Sequence, residues 1–523
     1  MKKLLLGDEA LALGAINAGL SGVYAYPGTP STEITEFIQE NPLAIGRGIH
    51  SRWCTNEKTA MEAALGMSYA GKRALVCMKH VGMNVCADAF VNGAITGVNG
   101  GLVVVAADDP SMHSSQNEQD SRFYGQFAMV PTFEPSTQQE AYDMMSEAFE
   151  LSEKLGEPVL MRMVTRLAHS RASVEIGEVR EQNRFDPSEG RSWVLLPGIA
   201  RVQYEKLVQK QRELLEYSEA ASGIECRSRN GQAPLGVIAC GIAYNYVKES
   251  GADVPVLKVN RYPLPESAVK ALSRLCRRIL VVEDGQPFAE HGTREILGCD
   301  YKVDGRLTGK LPRTGELTPD SVAKALGCAG GTVFSPSDFP SARPPQLCPG
   351  CGHRDVYATL KKVAAEYPGA RIFGDIGCYT LGALPPFESL DSTIDMGASI
   401  TMAKGAADAG LFPSIAVIGD STFTHSGMTG LLDAVNDHSN ITVIISDNLT
   451  TGMTGGQDSA GTSRYEAICL ALGVEREHLH VVVPLPANSE EIASIIRKEI
   501  EYDGVSVIIP RRECMQTLKR HKK

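Results

Sequence analysis

The 523-residue sequence predicts an α/β fold built from three doubly wound parallel-sheet domains. Apolar runs of strand length alternate along the chain with helical segments, and several of these runs are apolar on both faces. Such strands are typical of parallel sheets that helices cover on both sides. Polar or Gly/Pro-rich stretches separate the alternating segments into three groups. We therefore predict domains at residues 1–184, 185–335 and 336–523.

The first group shows the strand–turn–helix pattern clearly. Residues 22–38, "GVYAYPGTPSTEITEFI", predict a strand, a Pro/Gly turn and a helix whose cap is Ser31 or Thr32. The stretch "NEKTAMEAALGMSYAG" predicts a helix of small residues, and "RALVCM" predicts a strand. The run "GGLVVVAADDP" predicts a buried strand that ends in two acids.

The second and third groups repeat the alternation. The polar stretch "VREQNRFDPSEGRSW" marks the first boundary, and a charged helical segment follows it. The runs "LGVIACGIAY", "VPVLKVNRYPLP" and "RRILVVEDG" predict the strands of the second domain. Residues 327–346, "GCAGGTVFSPSDFPSARPPQ", predict a linker. The third group has the pattern of the first, so the two look like versions of one architecture.

Composition and charge are those of an ordinary globular protein, with 43% hydrophobic and 22% charged residues. The net charge of −11 argues against a broad nucleic-acid-binding surface. The amino terminus does not read as a signal peptide, because Gly7, Asp8 and Glu9 interrupt its apolar run, and no apolar stretch has membrane-spanning length. We expect a cytoplasmic protein whose thirteen cysteines stay reduced.

Hard oxygen ligands follow two strands of the third group. The segment "IGDSTFTHSG" places Asp420 directly after an apolar run, and "ITVIISDNLTTGMTGGQ" places Asp447 and Asn448 after the next strand. Open α/β sheets bind their ligands at the carboxyl ends of the strands. The pattern indicates one hard cation, Mg2+, that holds a phosphate group. Two ordinary strand-end turns are the alternative, since Asp, Asn and Gly favour turns.

Four cysteines of the third group form a candidate metal site. The sequence "CPGC" gives Cys348 and Cys351 the spacing of zinc or iron–sulfur ligands, and Cys378 and Cys514 follow later in the chain. A four-cysteine zinc site and inert buried thiols are the alternatives. The remaining cysteines show no ligand spacing.

Longer motifs carry a resemblance to a known family. The segment "GDSTFTHSGMTGLLDAVNDHSNITVIISDN" resembles the thiamine diphosphate signature, in which a Gly-Asp pair precedes an Asn by roughly thirty residues; here Asp420 and Asn448 lie 28 apart. Further motifs look like those of the alpha (large) subunit of indolepyruvate ferredoxin oxidoreductase, in the same order: "YPGTPSTE", "NEKTAMEAALG", "KHVGMNV", "HSSQNEQDSR", "LCPGCGHR", "DIGCYTLG" and "DNLTTGMTGGQ". The resemblance runs nearly end to end.

The resemblance implies a role for each domain. The first is similar to the pyrimidine-binding domain and the third to the diphosphate-binding domain of thiamine diphosphate enzymes, which normally pair across a dimer. The middle domain resembles the transketolase C-terminal domain.

The resemblance also implies a cofactor site in the third domain. Mg2+ would take the Asp420 carboxylate, the Asn448 side-chain carbonyl and the Thr450 backbone carbonyl. The diphosphate would meet hydroxyl and backbone N–H groups. The cofactor-contacting residues implied are Gly419, Asp420, Ser421, Thr422, His425, Asn448, Thr450, Gly452, Met453 and Thr454. For His425, a structural hydrogen bond is an equally good interpretation.

Two residues of the first domain match catalytic positions of the family. Glu57 opens the helix of small residues Ala60, Ala63, Ala64 and Gly66, and would hydrogen-bond the aminopyrimidine ring of the cofactor. Thr29 would hydrogen-bond the 2-oxo acid. A first-turn glutamate favoured by the helix dipole and a turn-filling threonine are the structural alternatives.

The sequence departs from related pyruvate enzymes after the "VVVAA" strand. Those enzymes place there an arginine that holds the substrate carboxylate, whereas this chain has Asp108 and Asp109. Arg122 is a candidate substitute. The departure argues against pyruvate and for a bulkier aryl substrate.

The family resemblance extends to electron transfer. Cys348, Cys351, Cys378 and Cys514 resemble the [4Fe–4S] ligands of the beta subunits of two-subunit 2-oxoacid ferredoxin oxidoreductases. A ferredoxin-like domain that usually ends the resembled alpha subunit has no counterpart in these 523 residues. Either electrons leave through another protein, or this is a shortened member of the family. The basic tail "RRECMQTLKRHKK" would suit the docking of an acidic electron carrier, and a plain solvated tail is an equally good interpretation.

The sequence thus predicts an anaerobic, CoA-dependent oxidative decarboxylase of aryl pyruvates. Its expected partners are a smaller beta subunit and ferredoxin or a similar carrier, in a hetero-oligomer with dimerised large subunits. A non-oxidative 2-oxoacid decarboxylase, an oxidoreductase for another 2-oxo acid and a non-catalytic cofactor-binding subunit are the alternatives.

Overall fold

The computed structural model describes residues 1–186, 193–226, 231–328 and 344–521. The chain divides into two compact units, an N-terminal unit of residues 1–335 and a C-terminal unit of residues 336–523. Most of the predicted linker at 327–346, and part of the boundary stretch at 179–193, lie outside the described residues. Within the described ranges, no helix combines the length and apolar character that crossing a membrane requires.

The N-terminal unit contains a seven-stranded, a five-stranded and a two-stranded sheet. Its strands in chain order are β1 (Lys2–Leu6), β2 (Gly22–Ala25), β3 (His50–Trp53), β4 (Ala74–Lys79), β5 (Leu102–Asp108), β6 (Thr132–Phe133), β7 (Val159–Val164), β8 (Arg171–Glu175), β9 (Ile224–Glu225), β10 (Gly236–Cys240), β11 (Val256–Val259), β12 (Arg261–Tyr262), β13 (Ile279–Val282) and β14 (Val303–Asp304).

Thirteen α-helices accompany these strands in the described part of the unit. They are α1 (Gly7–Asn17), α2 (Thr32–Glu40), α3 (Pro42–Gly46), α4 (Glu57–Tyr69), α5 (His80–Thr96), α6 (Arg122–Ala128), α7 (Gln138–Leu155), α8 (Thr165–Ala168), α9 (Pro197–Ala220), α10 (Ala243–Glu249), α11 (Glu266–Leu275), α12 (Phe288–Leu297) and α13 (Pro319–Leu326).

The seven-stranded sheet has the order β12-β6-β7-β5-β4-β2-β3 and is parallel except for its edge strand β12. Alternate residues of β4 enter different cores: Leu75 and Cys77 pack on one face, Val76 and Met78 on the other. Apolar side chains on both faces are what a sheet with helices on both sides requires, so the predicted α/β fold class is confirmed.

Helix ends follow local chemistry. The helix α7 starts where the Thr137 hydroxyl accepts a hydrogen bond from the Glu140 N–H at 3.2 Å, and it ends at Gly156, whose φ of +64° suits a residue without Cβ. Ser31 precedes α2 as predicted, but its hydroxyl donates to the Gly28 carbonyl at 2.7 Å instead of capping the helix. The Thr32 hydroxyl accepts from the Gly28 N–H at 3.0 Å.

The five-stranded sheet has the order β14-β13-β10-β11-β9, with only β9 antiparallel to its neighbour. Its chain segment also supplies β12 to the seven-stranded sheet, where Arg261 and Tyr262 pair with Phe133 and Thr132. Both sheets belong to one compact unit. The interpretation of residues 185–335 as a separate domain stays a prediction.

The C-terminal unit is built on a six-stranded, fully parallel sheet of order β16-β15-β17-β18-β20-β19. Its strands are β15 (Arg371–Gly374), β16 (Ser392–Thr393), β17 (Ser414–Gly419), β18 (Ile441–Ser446), β19 (Leu479–Val482) and β20 (Val505–Pro510). Its α-helices are α14 (Gly352–Ala364), α15 (Ala398–Asp408), α16 (Asp420–Thr422), α17 (Met428–Asn436), α18 (Tyr465–Ala471), α19 (Ser489–Ile500) and α20 (Met515–His521).

This sheet is also covered on both faces. Ile415 and Val417 of β17 pack in one core, and Ala416 and Ile418 pack in the other. A π-helical turn, Phe423–Gly427, joins α16 to α17. The predicted neighbourhood of the two motif strands is confirmed, because β17 and β18 are adjacent and Gly419 pairs with Ser446.

A buried ionic network joins the two larger sheets of the N-terminal unit. Arg162 of β7 donates from Nε to Asp108 at 2.6 Å and from Nη2 to the Asp284 carbonyl at 2.9 Å. Arg122 donates from Nε to Asp120 at 2.9 Å, and its Nη1 lies 2.9 Å from Glu283. Since Glu283 and Asp284 directly follow β13, these contacts connect the carboxyl ends of both sheets.

The same network fixes the charge state of its acids. Burial alone would raise the pKa of Asp120, but Arg122 and Arg162 outweigh burial and hold that pKa at about 2. For Asp284, burial dominates over the pairing with Arg306 and raises the pKa to about 6. The network therefore depends on its guanidinium groups to keep buried carboxylates ionised.

Replacing Arg162 with methionine should destabilise the N-terminal unit by about 3–5 kcal/mol, because Asp108 and Glu134 would lose a buried cationic partner. Both tryptophans of the chain, Trp53 and Trp193, lie in this unit, so their fluorescence during urea unfolding measures the change. Arg212→Gln, which removes an exposed pair with Glu216, should cost about 0.5 kcal/mol or less. Equal effects of the two substitutions would contradict the role given to the network.

Candidate functional site

Three neighbouring strands of the C-terminal unit end in acidic residues. Asp375 follows β15, Asp420 follows β17 and Asp447 follows β18. All three side chains are buried, with 0%, 2% and 1% of their surface exposed. Asp447 is already paired, since its Oδ2 lies 2.5 Å from Arg511 Nε. Asp420 and Asp375 are therefore the acids of this edge that lack a cationic partner among the described residues.

Asp420 has the local structure expected of a cation ligand. Its Oδ1 accepts the Ser421 N–H at 2.7 Å, whereas its Oδ2 is buried and has no hydrogen-bond partner within the described residues. Burial raises the pKa of this carboxyl group to about 7, although the Ser421 N–H opposes the shift. A cation against Oδ2 would satisfy the orphaned oxygen and favour the ionised form.

The loop after β18 brings the other predicted oxygen ligands to the same edge. Asn448 Oδ1 accepts the Thr450 N–H at 3.1 Å, so this side-chain carbonyl keeps a second lone pair. Leu449, between them, has a φ of +65°, which gives the tight turn that exposes it and buries Thr450. The donor set of one carboxylate and two carbonyl oxygens suits Mg2+.

The predicted phosphate-contacting residues divide into two sets. Ser421 and Thr422 are buried, and their hydroxyls contact Thr451 Oγ1 at 2.7 Å and the Ile376 carbonyl at 3.2 Å. In the short 3-10 turn Gly452–Thr454, Met453 is 52% exposed, and the Thr454 hydroxyl donates to Gln457 at 2.7 Å. Ser421 and Thr422 thus belong to the buried edge, and the turn lies on the accessible side of the loop.

His425 lies within the π-helical turn and is buried at 4% exposure. Its Nδ1 is 2.6 Å from the Ser426 hydroxyl. This contact agrees with the structural interpretation of His425, and its contact with the cofactor stays a prediction.

The four predicted cysteines converge in space. Cys348, Cys351, Cys378 and Cys514 line one cavity of about 100 Å3, together with Asn448 and Gly452. A Cβ on Gly452 would lie 3.5 Å from the Cys378 sulfur and 3.6 Å from the Cys514 sulfur. The Cys514 N–H donates to the Asn448 carbonyl at 3.1 Å, so the cysteine cavity adjoins the proposed metal loop.

The sulfur atoms are spaced more widely than a single zinc ion requires. Tetrahedral zinc with Zn–S bonds of about 2.3 Å holds its sulfurs about 3.8 Å apart. No three of these four sulfurs, all in the described part of the chain, lie within 4.8 Å of one another. Burial and the three neighbouring cysteines raise the pKa of Cys378 to about 12, so a bound cation would be required to hold this one sulfur as a thiolate near neutral pH.

In the N-terminal unit, Thr29 and Glu57 lie at one edge of the seven-stranded sheet. Thr29 follows β2 and Glu57 follows its parallel neighbour β3. Glu57 is the first residue of α4, as predicted, and is 6% exposed. Its side chain occupies the space beside Gly82 of α5, where a Cβ would come within 2.7 Å of it.

The small residues of α4 do not form one continuous surface. Ala60 and Ala64 are buried in the core, while Ala63 and Gly66 are exposed. A helix places positions 60 and 64 on a different face from 63 and 66, so the four residues divide between the core and the exposed surface, and the contact of this helix with the aminopyrimidine ring stays a prediction. Thr29 is half-buried in the loop that Gly28 and Ser31 close.

Arg122 is not the substitute carboxylate ligand that the sequence suggested. It is fully buried and surrounded by Asp120, Glu134 and Glu283. Asp108 and Asp109 are likewise used internally: Asp108 pairs with Arg162, and Asp109 accepts the Ser114 N–H at 2.9 Å and the Thr165 hydroxyl at 2.8 Å.

Two further edge residues were missed by the sequence reasoning. Lys79 ends β4 beside Gly28, with 3.1 Å between its Cβ and a Cβ built on that glycine, and burial lowers its pKa to about 8. Asp375 accepts the Ser399 hydroxyl at 2.7 Å, and burial raises its pKa to about 8. Lys79 ends a strand and Asp375 follows one, in the motifs "MKHVG" and "FGDIGC", so position at a strand end was the signal that the sequence offered.

Two family models match the chain. The model described as "Pyruvate flavodoxin/ferredoxin oxidoreductase, thiamine diP-bdg" matches residues 13–208. The model described as "Thiamine pyrophosphate enzyme, C-terminal TPP binding domain" matches residues 375–509. The first range contains Thr29 and Glu57, and the second contains Asp420 and Asn448.

A solved structure shares the fold. A 2-oxoglutarate:ferredoxin oxidoreductase from Magnetococcus marinus, with 2-oxoglutarate, coenzyme A and succinyl-CoA bound, superposes with a TM-score of 0.53 at 17% identity. The match covers 62% of this chain and 65% of that chain, which is just under two thirds of its length. At this identity the likeness concerns the fold alone.

Curated relatives match almost the whole chain. The indolepyruvate oxidoreductase subunit IorA of Archaeoglobus fulgidus is 40% identical over 98% of this chain and 86% of the relative. The subunit IorA of Methanothermobacter thermautotrophicus is 39% identical over 98% of this chain and 87% of the relative. The chain therefore belongs to the IorA family of thiamine diphosphate-dependent 2-oxoacid oxidoreductases.

Proposed function

We propose that the chain is the catalytic large subunit of an enzyme that oxidises an aryl pyruvate, such as indolepyruvate, with CoA. The products would be the aryl-acetyl-CoA and CO2, and two electrons would pass singly to ferredoxin or a similar carrier. The observation that carries this proposal is the convergence of four cysteines beside the loop of Asn448 and Gly452. An oxidative reaction needs such an electron acceptor, and a non-oxidative decarboxylase does not.

Residues of the C-terminal unit would hold the cofactor. Thiamine diphosphate, when bound, supplies the electron sink that allows the carbon–carbon bond of a 2-oxo acid to break. Asp420, Asn448 and Thr450 would bind Mg2+ through oxygen atoms, and the orphaned Oδ2 of Asp420 supports this assignment. Backbone N–H groups of the Gly452–Thr454 turn would face the diphosphate oxygens.

Glu57 would act on the aminopyrimidine end of the cofactor. A buried carboxyl group can hold a proton at a ring nitrogen more effectively than an exposed one, and Glu57 is 6% exposed. It lies at the first turn of α4, and its side chain packs beside Gly82 of α5, where there is no Cβ to exclude it. Thr29, at the end of the neighbouring strand, would hydrogen-bond the substrate.

The cysteines would ligate one [4Fe–4S] cluster. Their spacing exceeds that of a mononuclear zinc site, which supports a larger group. The Gln516 side-chain N–H, which donates to Cys348 at 3.2 Å, is the kind of contact that tunes a cluster potential.

The proposed substrate is supported by the names of the relatives and by the charged residues at the end of one strand. Both named relatives are indolepyruvate oxidoreductase subunits. The strand end where pyruvate enzymes carry an arginine holds Asp108 and Asp109 here, and both are engaged internally.

We also propose a smaller beta subunit, dimerised large subunits and a cytoplasmic, anaerobic setting. All thirteen cysteines are free, in agreement with a reducing compartment.

Asp420→Ala should weaken Mg2+–thiamine diphosphate binding by about 100-fold, or about 2.7 kcal/mol, because the metal would lose its carboxylate ligand. Titration calorimetry of the purified chain in Mg2+ measures the affinity. The exposed Asp503→Ala is the control and should bind like the wild type. Unchanged affinity in Asp420→Ala would remove Asp420 from the metal site.

Glu57→Gln should leave cofactor affinity within about tenfold and lower turnover by about 10²–10⁴-fold, since the amide keeps the shape of the side chain but loses its titratable proton. The readouts are calorimetry for binding and acyl-CoA formation for turnover. Glu62→Gln, on the exposed face of the same helix, should retain both. Near-normal turnover of Glu57→Gln would refute the role of Glu57.

The chain purified anaerobically with its beta subunit should contain about four irons per large subunit and form aryl-acetyl-CoA only when an electron carrier is present. Cys351→Ser should lose the iron and the signal of the reduced cluster in electron paramagnetic resonance. Cys299→Ser, at an exposed cysteine, should retain both. Zinc in place of iron, or aldehyde formation without an acceptor, would favour the non-oxidative decarboxylase instead.

A further inference from the structure

Three potential metal ligands converge in the N-terminal unit, on elements far apart in sequence. Asp8 lies in the first turn of α1, Glu33 in the first turn of α2, and His169 directly after α8. One ligand atom from each lies within 4.8 Å of the other two. In the described part of the chain, this is the one group of three or more His, Cys, Asp or Glu side chains that meets this distance.

Asp8 is the side chain that ordinary structural roles do not explain. It is 0% exposed, and neither carboxylate oxygen has a hydrogen-bond partner among the described residues. Its neighbour Glu9 makes the first-turn contact of α1, accepting the Leu6 N–H at 2.8 Å. Burying a carboxyl group without hydrogen-bond partners costs free energy. Ligand binding therefore accounts better for Asp8 than helix capping does.

Glu33 and His169 form the side of the group that faces solvent. The His169 Nε2 lies 3.5 Å from Glu33 Oε1, and the two side chains are 35% and 37% exposed. With both carboxyl groups ionised and the imidazole neutral, as metal ligation requires, the three side chains carry a charge of −2 that one divalent cation would balance. The exposed side also gives the ion an entry path and water molecules to complete its coordination.

We propose that Asp8, Glu33 and His169 bind one divalent transition-metal ion. The imidazole ligand favours ions such as Zn2+ over Mg2+ and Ca2+, which prefer oxygen ligands throughout. The ion would tie together the starts of α1 and α2 and the turn after α8. Because Glu33 is four residues from Thr29, it would also steady the loop before α2. This site is separate from the cysteine cavity and does not depend on the proposed function.

Zinc binding to the full chain tests the proposal. Wild-type protein, stripped with a chelator and dialysed against Zn2+, should hold one equivalent more than Asp8→Asn and one more than His169→Ala. Zinc held by cysteines or at the Mg2+ site is common to all variants, so the difference isolates this site. Glu40→Gln, at an exposed glutamate of α2, is the matched control and should bind like the wild type.

Thermal unfolding gives a second readout, because the loss of a buried acid and the loss of zinc binding change the unfolding temperature in opposite directions. Without metal, Asp8→Asn should be as stable as the wild type or more so, because the amide removes a buried acid. With Zn2+, the unfolding temperature should rise more in the wild type and in Glu40→Gln than in the two site variants, because zinc bound elsewhere stabilises all four proteins equally. If Asp8→Asn fails to fold, His169→Ala at its exposed position decides the question. Equal zinc content in wild type and His169→Ala would overturn the proposal.

Discussion

The buried pairing of Arg162 with Asp108 and Glu134 is the interaction on which the N-terminal unit depends. It lies where β5 and β7 end, and through the Asp284 carbonyl it reaches the end of β13 in the other sheet. A misplaced partner would leave an uncompensated buried charge, so these pairs penalise other alignments of the two sheet ends. The edge that carries Thr29 and Glu57 belongs to the sheet that this network anchors.

Parallel strands impose the second constraint. Every strand of a parallel sheet ends at the same edge, so polar residues that follow different strands are brought together without special contacts. In the C-terminal unit this places Asp375, Asp420 and Asp447 on adjacent strands. Arg511 neutralises Asp447, and burial leaves the other two with raised pKa values. The sheet thus concentrates carboxyl groups that a cation can satisfy, and Asn448 and Thr450 supply neutral oxygens beside them.

The sequence was sufficient for features that depend on strand order and periodicity. The apolar runs predicted the strands, and the adjacency of β17 and β18 followed from the short helical connection between them, so the placement of Asp420 and Asn448 at one edge of the sheet was predictable. Pairing between residues far apart in the chain could not be predicted from the sequence. Arg122 contacts Glu283, which lies 161 residues later in the chain, and no local pattern announces such a partner.

Charge at the edge of the seven-stranded sheet bears on the choice of substrate. Asp109 accepts hydrogen bonds from Ser114, Ser115 and Thr165, and these bonds outweigh burial and lower its pKa, so it stays ionised. Lys79, whose ammonium group donates to the Ser114 carbonyl at 2.5 Å, is a cation near this acid. One ammonium group can balance one substrate carboxylate, but a second carboxylate would meet Asp109 in partly buried surroundings. Under the function proposed above, this arrangement would suit a 2-oxo acid with an uncharged side chain, such as an aryl pyruvate, better than a dicarboxylate.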